Sequence, residues 1–212
     1  MKSLLALLCF VTGLEQPDPF RAVAERMRED VVQLRARALL GVRGQDGRIT
    51  KGEAELTGSG VLIGKGLAVA NLHLAVLPDV EGRLAPVESV EIVVPGQGAF
   101  SATLLGGDVD LDIAVFRLEG GDSLPGAALA ESDPAVDESV VAMGATGDRI
   151  AAVRSAISEV RDAGFVLAAP LSRDFWGGPV FDSQGKLVGV LGPVAAVRAS
   201  ALRVILERSG AM

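Results

Sequence analysis

The sequence predicts an all-β fold, an antiparallel barrel or sandwich. Three observations carry this prediction. Short apolar runs recur along the chain, separated by turn sequences such as Gly44-Gln45-Asp46-Gly47, Gly64-Lys65-Gly66 and Asp182-Ser183-Gln184-Gly185. No helical periodicity intervenes between those runs. The chain holds 26 Gly but only seven Phe, one Trp and no Tyr, which suits many tight turns between short elements. With 212 residues, 49% apolar and 22% charged, it has enough material for one domain or two small subdomains with a sizeable core.

The elements follow in order. Leu4 to Thr12 form an apolar run after Lys2, and Val11 and Gly13 stand where a signal peptidase needs small residues. Residues 1–13 therefore read as a signal peptide, too short to span a membrane, which places the protein in the periplasm or outside the cell. A lipid anchor on Cys9 is disfavoured by the bulky Leu8. Residues 14–30 form a helical segment with Phe20, Val23, Ala24 and Met27 on one face, entered through Pro17 and Pro19. From Val31 the period changes: Val32, Leu34, Ala36 and Ala38 alternate with Gln33, Arg35 and Arg37, as in a half-buried strand. Further strands are expected at 58–63, 67–71, 90–94, 101–106, 112–118, 139–143, 151–158, 164–169, 178–182 and 186–191. The acidic, proline-containing stretch 119–138 suits a connector between two halves. Ser200 to Arg208 return to helical spacing, with Leu202, Ile205 and Leu206 on one side.

Composition excludes several classes of function. A net charge of −7, with no run of basic residues, argues against a nucleic-acid partner or an anionic membrane surface. One Cys and one His exclude an intrachain disulfide, a cysteine zinc site and a histidine-rich metal centre. Asp108 and Asp110 lack the further oxygen ligands of a calcium loop and read as turn residues. Gly144-Ala145-Thr146-Gly147 imitates a nucleotide-binding turn but lacks the third glycine and the following helix. No cofactor and no metal are expected.

Three segments remain that carry chemistry. The first is Gly58-Ser59-Gly60-Val61-Leu62-Ile63 followed by GLAVANLHLAV with His73; the second runs from Asp108 through Asp112-Ile113-Ala114-Val115. The third is Asp174-Phe175-Trp176-Gly177-Gly178-Pro179, followed by GKLVGVLG. In order and context they resemble the trypsin-like serine proteases, most closely the protease domain of the HtrA/Deg group. The likeness covers about residues 18 to 208, and the ending RASALRVILER is similar to that family's closing segment. It implies two six-stranded antiparallel β-barrels with short N- and C-terminal helices. The barrels would span 31–120 and 121–195, the closing helix 196–212, with no PDZ domain.

In such a site an imidazole takes the proton of a hydroxyl nucleophile, a carboxylate fixes the imidazole's tautomer, and backbone amides bind the oxyanion. The resemblance assigns the base to His73 and the orienting carboxylate to Asp112, with Asp108 and Asp110 as nearby alternatives. The nucleophile position is Trp176, whose indole cannot attack a carbonyl. Losing a nucleophile costs about 10⁶-fold in kcat. Asp174 stands where the family has a glycine beside the oxyanion. Its backbone reaches glycine's angles with difficulty, and at an effective dielectric near 20 its charge would oppose the oxyanion by about 4 kcal/mol. His73 is otherwise a buried core histidine, Trp176 a group that packs into the vacated cleft, and Ser59 structural. Ser172, four residues before Trp176, is the nearest hydroxyl and reads as a turn residue.

The reading is a trypsin-fold pseudoprotease that binds a peptide or protein partner. Its rivals are an active serine endopeptidase with a non-standard nucleophile, and a regulatory or structural subunit of an active homologue. Self-association fits any of these; an integral membrane span does not.

Overall fold

The computed structural model describes residues 18–211 except 47, 80, 147 and 148. The signal-peptide reading of 1–13, Cys9, the start of the 14–30 segment and Gly147 of the Gly144–Gly147 turn lie outside the described residues.

The first helix, α1 (Pro19–Arg26), starts where Asp18 caps it by accepting a hydrogen bond from the Phe20 amide at 3.0 Å. Pro19 occupies the first turn, where its missing N–H costs nothing. A 3₁₀ turn, Met27–Asp30, then delivers the chain to the sheet, so the expected helical segment ends in a tighter turn.

Fourteen strands follow among the described residues: β1 (Val31–Arg43), β2 (Ile49–Gly64), β3 (Leu67–Asn71), β4 (Val76–Pro78), β5 (Leu84–Pro86), β6 (Ser89–Val94), β7 (Gly98–Asp108), β8 (Ile113–Leu118), β9 (Ser139–Thr146), β10 (Arg149–Val160), β11 (Gly164–Leu167), β12 (Pro179–Phe181), β13 (Leu187–Leu191) and β14 (Ala196–Arg198). Helix α2 (Ala199–Arg208) closes the chain. The strands form two closed six-stranded antiparallel barrels, in order β1-β2-β3-β8-β7-β6 and β10-β11-β14-β13-β12-β9. Strands β4 and β5 make a small separate hairpin. The fold is therefore the all-β double barrel with two short helices that the family resemblance implied.

The apolar runs of β3, β8, β12 and β13 are continuous because these strands bury both faces, whereas β1, β6 and β7 alternate. In the first barrel Val32, Leu34, Leu62, Ala68 and Phe116 point inward. Val31, Val61, Val69, Ile113 and Val115 point outward into a second core shared with Val141, Met143, Phe181 and Leu187. Phe20 and Val23 of α1 and Leu202, Ile205 and Leu206 of α2 seal the edges of that shared core. Ile157, Phe165 and Val180 fill the second barrel.

Beyond Arg37 the β1–β2 pair leaves the barrel. Strand β6 pairs with β1 only at Gln33–Arg37, whereas β1 and β2 stay paired out to Arg43↔Ile49. The sequence expectation stopped short of this ribbon because both its faces are largely exposed, so no apolar alternation marks it.

Asp30 is 7% exposed, and its carboxylate has no hydrogen-bond partner among the described residues. Burial, helped by the neighbouring Glu29 charge, raises its pKa from 3.8 to about 6.

Two outcomes are expected. Phe116 has no exposed surface, so Phe116→Ala should lower stability by about 3–5 kcal/mol, read as a lower denaturant midpoint at unchanged m. The Asp30 carboxyl binds its proton more tightly folded than unfolded. Its stabilising contribution is thus complete below pH 3.8 and lost as pH rises through about 6. Asp30→Asn should therefore be the more stable protein above pH 6, and the difference should vanish near pH 4 in parallel urea titrations.

Candidate functional site

Register alone brings two of the expected residues together. Strand β3 pairs antiparallel with β8, and the last pair is Asn71↔Ile113. The residues just past the end of β3 therefore face those just before β8. A 3₁₀ turn, Leu72–Leu74, then turns His73 toward Asp112. His73 Nδ1 lies 2.7 Å from Asp112 Oδ2, and the His73 amide donates to Asp112 Oδ1 at 2.8 Å. A carboxylate only accepts, so the imidazole carries its proton on Nδ1. That leaves Nε2 as the basic nitrogen, and no partner occupies it among the described residues.

Asp112 is held by more than its side chain. Its φ is +54°, in the left-handed region that Asp tolerates better than most residues. Its carbonyl accepts from the Leu72 amide at 3.1 Å and from Asn71 Nδ2 at 3.0 Å. The other candidate carboxylates stay apart: Asp108 accepts from the Leu111 amide within its own turn, and Asp110 is exposed.

His73 pairs with Asp112 and is not the buried core histidine of the alternative reading. The His73 side chain is 43% exposed and that of Asp112 24%, because the pair sits at the mouth between the barrels.

The second barrel supplies the opposite wall. The Trp176 indole is half-buried and stands edge-to-face to the His73 ring, with centroids 6.2 Å apart and planes at 89°. The Arg173 guanidinium lies 5.4 Å from the centre of the indole. Trp176 also lines a cavity of about 180 Å³ with the side chains of Val166, Leu167, Pro170, Leu171 and Leu191.

The loop bearing Trp176 is wound into a 3₁₀ turn, Arg173–Phe175. The Trp176 amide donates to the Arg173 carbonyl at 2.9 Å, so it is taken and does not face the cleft as a free donor. Asp174 is exposed and unstrained: positive φ among described residues other than glycine occurs only at Lys65, Asp112 and Asp137. A tight turn carries the chain through Asp174 at angles open to any L-residue. The Ser172 hydroxyl donates to the Asp174 carboxylate at 3.5 Å.

Two further residues tie the halves of the site. Ser59 is fully buried; its hydroxyl donates to the Asp174 carbonyl at 2.5 Å and accepts from the Ala145 amide at 2.7 Å. Its own amide donates to the Trp176 carbonyl at 3.1 Å. The sequence expectation left Asn71 unremarked. It is fully buried, and Nδ2 bridges Asp112 O in the first barrel and Leu191 O in the second, at 3.0 and 3.3 Å. The signal was there: an amide at the end of an apolar strand is costly without partners, and Nδ2 finds two although Oδ1 finds none among the described residues. Gly177 has φ +82° and presses on the Ser59 carbonyl, where any Cβ would collide.

Among the described residues no cluster of His, Cys, Asp or Glu is arranged to hold a metal ion, and no helix is long and apolar enough to cross a membrane.

Residues 58–190 match the trypsin-like peptidase domain family. No curated protein matches the chain. Among solved structures, the inactive form of a Ser-to-Ala mutant of Rv3671c from M. tuberculosis H37Rv superposes with a TM-score of 0.69 at 20% identity, covering 93% of this chain and 97% of that one. The inactive form of the Rv3671c protease gives 0.67 at 20% identity, over 92% and 97%. At that identity the likeness concerns the fold.

Removing the carboxylate should undo the base geometry. Asp112→Ala is expected to cost about 1–3 kcal/mol through the orphaned amide and imidazole N–H of His73. It should also let the His73 proton redistribute between Nδ1 and Nε2, read from the ¹⁵N shifts of the single imidazole. An unchanged tautomer would refute the orienting role.

Proposed function

Because this chain belongs to the trypsin-like peptidase domain family, we propose that it is a protease-fold domain that does not hydrolyse peptides and instead binds peptide or protein segments in the cleft between its barrels. One observation carries the reading. The imidazole that would accept a proton from a nucleophile is packed edge-on against the Trp176 indole, which has no hydroxyl to give.

The surroundings support it. The backbone amide of Trp176, at the position a nucleophile would hold, is committed to the Arg173 carbonyl and cannot serve an oxyanion. The Asp174 carboxylate beside it disfavours negative charge there. Ser172 and Ser59 both direct their hydroxyls to partners in the Asp174 loop, which argues against either as a substitute nucleophile. The cleft retains a binding surface. Trp176 offers an aromatic wall, and the cavity of about 180 Å³ beside it takes an apolar side chain. The leader-like segment 1–13 supports a periplasmic or extracellular setting.

A fluorophosphonate probe should not label the natural protein faster than it labels His73→Ala. Trp176→Ser should regain slow labelling at most, because the Arg173 carbonyl still holds the amide at that position. Labelling of the natural chain that depends on His73 would sink the reading. Trp176 is the only Trp and the chain has no Tyr, so its emission reports directly on the cleft. A capped alanine–valine peptide should shift that emission to the blue; no change at millimolar peptide would count against binding there.

A further inference from the structure

A larger cavity, of about 540 Å³, lies on the Asp112 side of the cleft. It shares Gly192, Pro193, Val194, Ala195 and Ala196 with the cavity beside Trp176, so one extended segment lying along 192–196 reaches both. Its walls are mainly apolar, including Leu111, Ala163, Pro193 and Val197. Val194 at its edge is 76% exposed, the most exposed of the large hydrophobic side chains described.

The rim carries the opposite chemistry. Asp110, Asp112 and Asp162 contribute carboxylates, and Arg161 is the one cation among the lining residues. Arg161 is already neutralised. It forms a two-pronged ion pair with Glu159, at 2.9 and 3.1 Å, that holds the Glu159 carboxyl below its usual range. Asp112 is engaged with His73. Asp110 and Asp162 are both exposed, and neither has a hydrogen-bond or ion-pair partner among the described residues. An apolar trough with two unpaired carboxylates at its lip fits a side chain whose stem is aliphatic and whose end is cationic.

We propose that this cavity selects a lysine or arginine side chain of an extended peptide bound along residues 192–196. The proposal rests on the peptide-binding reading and adds the charge of the ligand to it. The stem lies against Leu111, Pro193 and Val194, and the cationic end reaches Asp110 and Asp162. Each such ion pair is partly solvated, so selectivity is modest and falls with salt.

The test uses the full chain and three capped pentapeptides of alanine and valine whose central residue is lysine, norleucine or glutamate. Norleucine keeps the stem and removes the charge. Binding is followed by isothermal titration and by methyl NMR shifts of Leu111 and Val194. Lysine should bind about three- to tenfold tighter than norleucine, and glutamate more weakly than either. In Asp110→Asn/Asp162→Asn, exposed substitutions that leave the core untouched, the lysine advantage should shrink to less than about twofold. Raising salt to about 0.5 M should shrink it likewise in the natural protein. Equal affinities for the three peptides would overturn the cationic selection and leave peptide binding standing. A lysine preference undiminished in the double variant would also overturn it. If none of the three binds, both readings fall.

Discussion

Val31, Val61, Val69 and Ile113 turn away from the interior of the first barrel and meet Val141, Met143, Phe181 and Leu187 of the second. This shared core is the constraint on which the cleft depends. Neither barrel can leave those side chains in water, and each is worth about 1.5–3 kcal/mol when buried. The polar bridge through Asn71 adds hydrogen bonds of about 1 kcal/mol apiece. Apolar burial therefore holds the barrels together. Asn71 fixes how the ends of β3, β8 and β13 line up, because an amide at that depth is costly in any other alignment.

The site divides along the same seam. The first barrel builds the imidazole and its carboxylate from the β3–β8 register, the left-handed Asp112 and the bonds around it. The second builds the loop that would present a nucleophile. A change in that loop leaves the first half intact. The His73–Asp112 pair stands beside the indole and also ties the Leu72–Leu74 turn to the residue that precedes β8. The tight turn at Arg173–Phe175, pinned by Ser59, holds the Trp176 amide on the Arg173 carbonyl, whatever side chain position 176 carries.

What could be read from the sequence follows the same physics. Strands that bury both faces appear as unbroken runs, so β3 was found at its observed limits and β8 and β13 within a residue or so. Strand β14, three residues long, and the β4–β5 hairpin are too short to show a period. The outer ribbon shows none because water lies on both sides. His73, Asp112 and Trp176 were legible through motif order, which survives a changed residue. The exposure of His73, the tight turn at Arg173–Phe175 and the bridging by Asn71 were not, since each depends on how two barrels meet.

The projecting half of the β1–β2 ribbon has one more consequence. Strand β3 pairs with β2 only from Gly60 onward, and the Ser59 amide goes to the Trp176 carbonyl, so the backbone of Ile49 to Thr57 has an outer edge with no strand beside it. A row of unsatisfied amides and carbonyls invites another chain to add itself, and indefinite addition is how sheets become fibres. Lys51, Glu53 and Glu55 recur along this edge at every second position. A neighbouring strand would have to strip water from those charges before gaining its hydrogen bonds. The long arm can therefore stand out from the body of the protein without seeding aggregation.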